Sequence, residues 1–116
     1  MPVIRIFYDE ALDDSMRAGR AELQSKLEAM MRDVLAADPA KCQIVMCASM
    51  HATPAPVYVD FQFRANDFRT RSVVAEAMKR TAEAITAVTG SGLRIRAYDI
   101  DQSTLHALDI SAGEAS

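Results

Sequence analysis

The sequence has 116 residues, is 50% hydrophobic and 25% charged, and carries a formal net charge of −3. A chain of this length builds one domain around one core, and its slightly acidic balance gives no broad attraction for nucleic acid. No apolar run approaches the roughly 18 residues of a membrane span, and the first residues lack the pattern of a secretory signal. We therefore expect a single domain over residues 1–116, located in the cytoplasm, with neither a nucleic acid nor a membrane as partner.

The chain begins with Met1 and Pro2, and strand-forming residues follow from Val3 to Tyr8. In one interpretation Pro2 is inert, because a residue without an N–H does no harm where a strand needs no ladder partner. In the other, Met1 is removed, as is usual before a small residue, and Pro2 becomes a secondary amine. The pKa of an α-amino group starts near about 8 and falls in an apolar pocket. Pro2 is therefore a candidate general base.

A helix of about 14–37 should follow, because apolar residues recur there at the spacing of one helical face. Asp13, Asp14 and Ser15 are available as N-terminal caps, and the "ADPAK" segment should end the helix. The second predicted strand is "CQIVMCASM", in which the odd separation of Cys42 and Cys47 sends their side chains to opposite faces. They should not pair, and the chain lacks a recognisable zinc set, so we expect no metal and no cofactor.

The second half of the chain repeats this order. "VYVDFQFRA" alternates apolar and polar residues as a third strand, and "NDFRTRS" supplies capping residues for a helix of about 70–89. "GSG" should end that helix before the fourth strand, "LRIRAYDI". His51 and His106 are interpreted as structural or surface residues, because no motif supports a Cys47–His51 nucleophile pair.

The element order predicts an α/β (α+β) fold made of tandem βαβ units, at about 2–50 and 57–110. The starts of the halves, "MPVIRI" and "APVYVD", resemble each other. Each βαβ crossover makes its strands parallel, and two helices can cover only one face of a four-stranded mixed sheet. A partner subunit would naturally cover the other face. That face should carry Arg5, Gln43, Gln62, Arg94 and Arg96 together with Val3, Phe7, Val45 and Tyr98.

Together, Pro2 and the tandem βαβ order resemble the tautomerase superfamily, whose members use an amino-terminal proline as acid or base. The resemblance runs from Pro2 to about Leu108. The last strand, "LRIRAYDID", is similar to that of macrophage migration inhibitory factor. "FRANDFRTRS" and "STLHALD" are more similar to 5-carboxymethyl-2-hydroxymuconate isomerase, which we take as the closest branch. The resemblance implies a homotrimer in which the sheets form a barrel and the pockets lie between neighbours.

The resemblance also implies a function, the ketonisation of a dienol or enol carboxylate in aromatic compound degradation, with Pro2 moving the proton. A carboxylate substrate needs fixed cations, and arginine suits two-point binding. The candidates are Arg69 before the second helix, Arg64 at the end of the third strand, Arg94 reaching a neighbour's site, and Lys41. The chain departs from the family in reading "KCQIV" where an arginine is usual, and in its acidic "YDEALDD" segment.

Two alternatives stay open at the level of the sequence. The chain could be a trimeric binding or assembly protein that keeps the fold without the chemistry. It could also be a related decarboxylase or dehalogenase, in which Asp60 or Arg94 acts on the substrate.

Overall fold

A computed structural model describes residues 2–112 of the chain. All six predicted helices and strands are present, and short 3-10 turns lie at Glu10–Leu12, Pro39–Lys41 and Gln102–Thr104. The main elements are β1 (Val3–Asp9), α1 (Asp13–Asp33), β2 (Gln43–Ser49), β3 (Val57–Arg64), α2 (Arg71–Thr89) and β4 (Arg94–Ile100).

The strands form one mixed sheet in the order β2-β1-β3-β4. Within each half the two strands are parallel, so that Val3 lies beside Gln43 and Tyr58 beside Arg94. The central pair, β1 and β3, is antiparallel. The predicted tandem βαβ arrangement is thus confirmed, and it places the start of β1 beside the end of β3.

Both helices pack on one face of the sheet. Every second residue of β1 and β3 is buried against them. In β3 this alternation is the sequence pattern from which the strand was predicted. The buried core consists of Ile4, Ile6, Tyr8, Met16, Leu23, Leu27, Met30, Met31, Leu35, Val57, Val59, Phe61, Phe63, Ala77, Ala84 and Ile85.

The ends of α1 differ from the prediction. The helix ends at Asp33 and not near residue 37, because Ala36 has a positive φ of 51° and the chain turns back there. The amide of Ala37 donates to the carbonyl of Met31 at 2.9 Å, a bond that ties the turning chain back to the last turn of the helix. The predicted caps are also wrong: Asp9 caps the preceding 3-10 turn, and the N-cap of α1 is Leu12, without a side-chain bond.

The ends of α2 confirm the prediction. The hydroxyl of Thr70 accepts a hydrogen bond from the amide of Val73 at 3.4 Å. Gly90 ends the helix in the left-handed conformation, with φ 65°. Glycine is favoured there because it has no Cβ to clash in that conformation.

The second face of the sheet carries the mixed set of side chains that the sequence predicts, and no element within residues 2–112 covers it. Val45 and Tyr98 are 37% and 50% exposed, and Arg5 and Asp60 form an ion pair at 3.2 Å. Cys47 lies on this face, whereas Cys42 packs against the core, and both cysteines are free. This surface, called the open sheet face below, leaves apolar area in water.

Neither α1 nor α2, the long helices of residues 2–112, is apolar enough to cross a lipid bilayer.

Candidate active site

A cleft of about 770 Å³ opens where β1 starts, and four of the predicted site residues line it. Its walls come from the start of β1, the segment between α1 and β2, the end of β3 and the turn before α2. Because β1 and β3 run antiparallel, the start of β1 lies beside the end of β3, the first strand of the second half. The lining residues are Pro2, Ala36, Ala37, Asp38, Ala40, Lys41, Cys42, Gln43, Arg64, Arg69 and Asp109.

Pro2 is buried at the start of β1. Its carbonyl accepts a hydrogen bond from the amide of Gln43 at 3.0 Å, which fixes the residue to the start of β2. Proline has a ring-restricted φ, so this single bond leaves it little freedom. Met1, on whose removal the free amine depends, lies outside the described residues.

Arg64 is the last residue of β3, the strand beside β1, and lines the cleft. Its Nε is buried, and among residues 2–112 it has no hydrogen-bond acceptor. A buried donor of this kind costs free energy until it is paired. Arg64 therefore offers a cation with donors to spare for an anion.

Arg69 lies in the turn between β3 and α2 and packs beneath Arg64. Its guanidinium donates to the carbonyl of Arg64 at 2.9 Å and to that of Leu35 at 3.4 Å. Its charged carbon lies 5.9 Å from the centre of the Phe63 ring, within range of a cation–π contact. Burial lowers the pKa of Arg69 from its usual value, yet an arginine stays protonated at neutral pH.

Lys41 stands at the mouth of the cleft, at the end of the Pro39–Lys41 turn. The carboxylate of Asp38 caps this turn by accepting from the amide of Ala40 at 3.0 Å. The Lys41 side chain is exposed. It is thus an exposed charge, in contrast to the two half-buried arginines.

Arg94 is not brought to this cleft within one chain. It starts β4 beside Tyr58, which pairs with Phe7 at the far end of β1. Five residues of extended strand separate Phe7 from Pro2, a distance of roughly 16 Å. Arg94 therefore lies on the open sheet face at the end opposite the cleft.

Three polar residues of the cleft were missed by sequence reasoning. Asp38 and Cys42 flank the turn before β2, and Asp109 belongs to the segment after β4. Asp38 could have been found from the Asp-Pro turn signal, whereas Asp109 has no local pattern that ties it to Pro2. Burial raises the pKa of the Cys42 thiol above its ordinary value, so the thiol is protonated at neutral pH.

The remaining candidates lie elsewhere. The ring of His51 bonds to the carbonyl of Ala55 at 2.9 Å and to the hydroxyl of Ser49 at 3.0 Å, in a loop far from the cleft. Across the described part of the chain, no three His, Cys, Asp or Glu residues come together as a group that could hold a metal ion.

The cleft thus combines Pro2 with three cations and two carboxylates. Arg64 and Arg69 lie where burial weakens screening by water, and charged groups there interact more strongly than at the surface. Such an arrangement suits a small anion bound against the Pro2 end of β1.

No protein-family model matches the sequence, and no curated protein sequence does. The fold, in contrast, matches solved structures over nearly the whole chain. The symmetric trimer of a fused wild-type 4-OT is 16% identical, with a TM-score of 0.71 over 97% of this chain and 98% of that chain. N1, a member of the cis-3-chloroacrylic acid dehalogenase family, is 14% identical, with a TM-score of 0.71 over 90% and 79%.

A macrophage migration inhibitory factor-like protein from Entamoeba histolytica matches as well. It is 8% identical, with a TM-score of 0.67 over 91% of this chain and 94% of that chain. At these identities the likeness is one of fold. The two βαβ units and the mixed sheet thus form the tautomerase-superfamily fold.

Proposed function

We propose that the protein is a tautomerase that ketonises a dienol or enol carboxylate, similar to 5-carboxymethyl-2-hydroxymuconate isomerase, with Pro2 as general base. The observation that supports this most is the position of Pro2 in a cleft that also holds Lys41, Arg64 and Arg69. A buried secondary amine near cations has a lowered pKa, because both burial and positive neighbours disfavour its charged form.

The proposed reaction needs one proton carrier. The unprotonated amine of Pro2 takes the proton from the dienol hydroxyl, the electrons of that O–H bond form the ketone, and the conjugated carbon takes the proton back. No cofactor is required for this exchange. An amine held by the bond between Pro2 and Gln43 is already oriented, and orientation reduces the barrier.

The substrate carboxylate would bind opposite the amine. Arg64 offers its guanidinium in the cleft, and Lys41 offers an exposed charge beside it. Arg94 would reach a neighbour's cleft only in an assembly. The open sheet face and the trimeric state of the fused 4-OT neighbour support a homotrimer, in which Arg94 of one copy completes the site of the next.

The test is turnover of 2-hydroxymuconate, or of the enol of phenylpyruvate, by protein whose lack of Met1 has been established by mass spectrometry. Pro2→Ala should lower kcat/KM by about 10²-fold or more, the range typical for loss of a positioned general base. The matched control is Pro56→Ala, because Pro56 precedes β3 as Pro2 precedes β1. Pro56 lies within the chain and carries no free amine, so this variant should keep wild-type turnover.

Normal turnover by Pro2→Ala would refute the assignment of the base. Absence of turnover in the trimmed wild-type protein, with the trimer intact, would favour the second class of function, an assembly or binding protein with this fold.

A hydrating dehalogenase is a second candidate, supported by the carboxylates of Asp38 and Asp109 in the cleft. A carboxylate there could activate water for addition to an unsaturated acid. The fold neighbour N1 belongs to a dehalogenase family. Chloride release from 3-chloroacrylate, lost in Asp38→Asn or Asp109→Asn, distinguishes this reaction from ketonisation.

A further inference from the structure

The guanidinium of Arg69 connects two segments of the cleft wall, the end of β3 and the segment that follows α1. One N–H bond goes to the carbonyl of Arg64, at the end of β3, and another to the carbonyl of Leu35, just beyond the end of α1. Leu35 is 1% exposed and fixed in the core, so the second bond ties the turn before α2 to an immobile point. A cation at this place also meets the negative end of the α1 dipole.

The backbone amide and the planar face of Arg69 also make contacts within the chain. Its backbone amide donates to the side-chain oxygen of Asn66 at 2.8 Å, and its guanidinium lies against the Phe63 ring. Its Nε is buried and has no acceptor among the described residues. The Nε of Arg64 is unpaired in the same way, so the difference between the two residues is that the Arg69 guanidinium already donates to two backbone carbonyls.

We propose that Arg69 is a positioning residue whose effect on the reaction passes through Arg64. By holding the Arg64 carbonyl and the Leu35 carbonyl together, it fixes the position of Arg64 in the cleft that Pro2 also lines. This inference rests on the proposed function, and it assigns Arg69 a role other than direct contact with the substrate carboxylate.

A double-mutant cycle tests the inference on protein free of Met1, with 2-hydroxymuconate as substrate. Arg69→Ala should lower kcat/KM by about 10-fold to 100-fold, because a displacement of about 1 Å is enough for such a loss. Arg69→Lys should lose nearly as much, since an ammonium cannot span two carbonyls as the planar fork does. In protein that already carries Arg64→Ala, adding Arg69→Ala should lower kcat/KM by less than a further factor of about two. This is the result expected for residues that act as one unit.

The matched control is Arg71→Ala, which removes the same charge two residues along, at an exposed position at the start of α2. It should leave kcat/KM unchanged. Additive losses in the double variant, or recovery of activity by Arg69→Lys, would overturn the inference and indicate that Arg69 binds the carboxylate itself.

Hydrogen exchange provides a readout that is independent of turnover. Arg69→Ala and Arg69→Lys should speed amide exchange in segments 34–41 and 64–70, whereas Arg71→Ala should not. Unchanged exchange would overturn the inference. If the trimmed wild-type protein turns over no substrate, the proposed function fails, and exchange alone then decides whether Arg69 ties the two walls together.

Discussion

At the scale of single residues, the acidic segment after β1 is explained by internal contacts. The hydroxyl of Tyr8 donates to the carboxylate of Asp13 at 2.6 Å, and Arg17 donates to the same carboxylate at 2.8 Å. The Tyr8 bond, and next the Arg17 bond, hold the pKa of Asp13 below its ordinary value. The same bond to Asp13 is the main reason that the pKa of Tyr8 is raised. These charges support the start of α1.

The first prediction concerns the pH dependence of this contact. A carboxyl group with a lowered folded-state pKa adds stability above its unfolded pKa, and this stability is lost as the pH falls through the folded pKa. Asp13→Asn should therefore lower the urea midpoint near neutral pH, and the gap to the wild type should close in acid. Denaturation curves at several pH values measure this.

The matched control for that prediction is Asp14→Asn. Asp14 shares the first turn of α1 but is exposed, so it experiences the same helix dipole without the contacts to Tyr8 and Arg17. The difference in urea midpoint between Asp14→Asn and the wild type should be smaller than that for Asp13→Asn. Equal pH profiles for the two variants would show that the Tyr8 contact is irrelevant to stability.

At the scale of elements, the two helices approach each other closely at Gly19. A Cβ built on Gly19 would lie 2.6 Å from Cγ1 of Val88 and 2.8 Å from its Cγ2. Valine is stiff at χ1, so its methyl groups cannot easily move aside. Gly19 is therefore required for the packing of α1 on α2.

The second prediction follows from that contact. Gly19→Ala gains about 1 kcal/mol of helix propensity but overpacks the contact, which costs about 1–3 kcal/mol, so the variant should be less stable. In a Val88→Ala background the methyl groups are gone, and Gly19→Ala should then stabilise by about 1 kcal/mol. Thermal unfolding of the four proteins measures the cycle, and a Gly19→Ala effect of the same sign in both backgrounds would contradict it.

The elements themselves could be predicted from the sequence because their signals are local. The alternation in β3 and the Gly90 stop of α2 are patterns within one segment. The end of α1 could not, because the left-handed residue there is Ala36, which gives no compositional signal where glycine normally would. The start of α1 lies within one residue of the prediction, but the expected cap is absent, because Asp13 belongs to the helix and its carboxylate accepts a hydrogen bond from Tyr8.

The site was predictable only in part for a similar reason. Pro2, Arg64 and Arg69 could be chosen from their places at the ends of strands and turns. Asp109 could not, since no local pattern places the segment after β4 in the cleft. The hydrogen bonds from Arg69 to two backbone carbonyls were also not predictable, because they join the end of β3 to a residue beyond α1 that is distant in sequence.

At the scale of the whole molecule, the open sheet face is a surface that no element within residues 2–112 covers. Phe7, Val45 and Tyr98 stand among charged residues there, and one chain has two edge strands, β2 and β4. A face of this composition is suited to contact between copies of the chain, in line with the homotrimer proposed above.

The third prediction tests that assembly. The wild-type protein should have three times the 12.7 kDa mass of the chain in light scattering. Val45→Glu should dissociate it, because a buried unpaired charge is costly, and turnover should fall with it as neighbouring clefts lose Arg94. Ala87→Glu, on the exposed side of α2, is the matched control and should stay trimeric. A monomeric wild-type protein that is fully active would contradict both statements.

The two free cysteines lie on opposite sides of the sheet, and this gives the chain a pair of natural attachment points for spectroscopic labels. A fluorophore on Cys42, with Cys47 replaced by serine, would sit at the wall of the cleft and sense the arrival of a small anion. A fluorophore on Cys47, with Cys42 replaced, would instead sense the approach of another copy. Ligand capture and self-association can therefore be followed separately in the same protein, without adding a foreign residue.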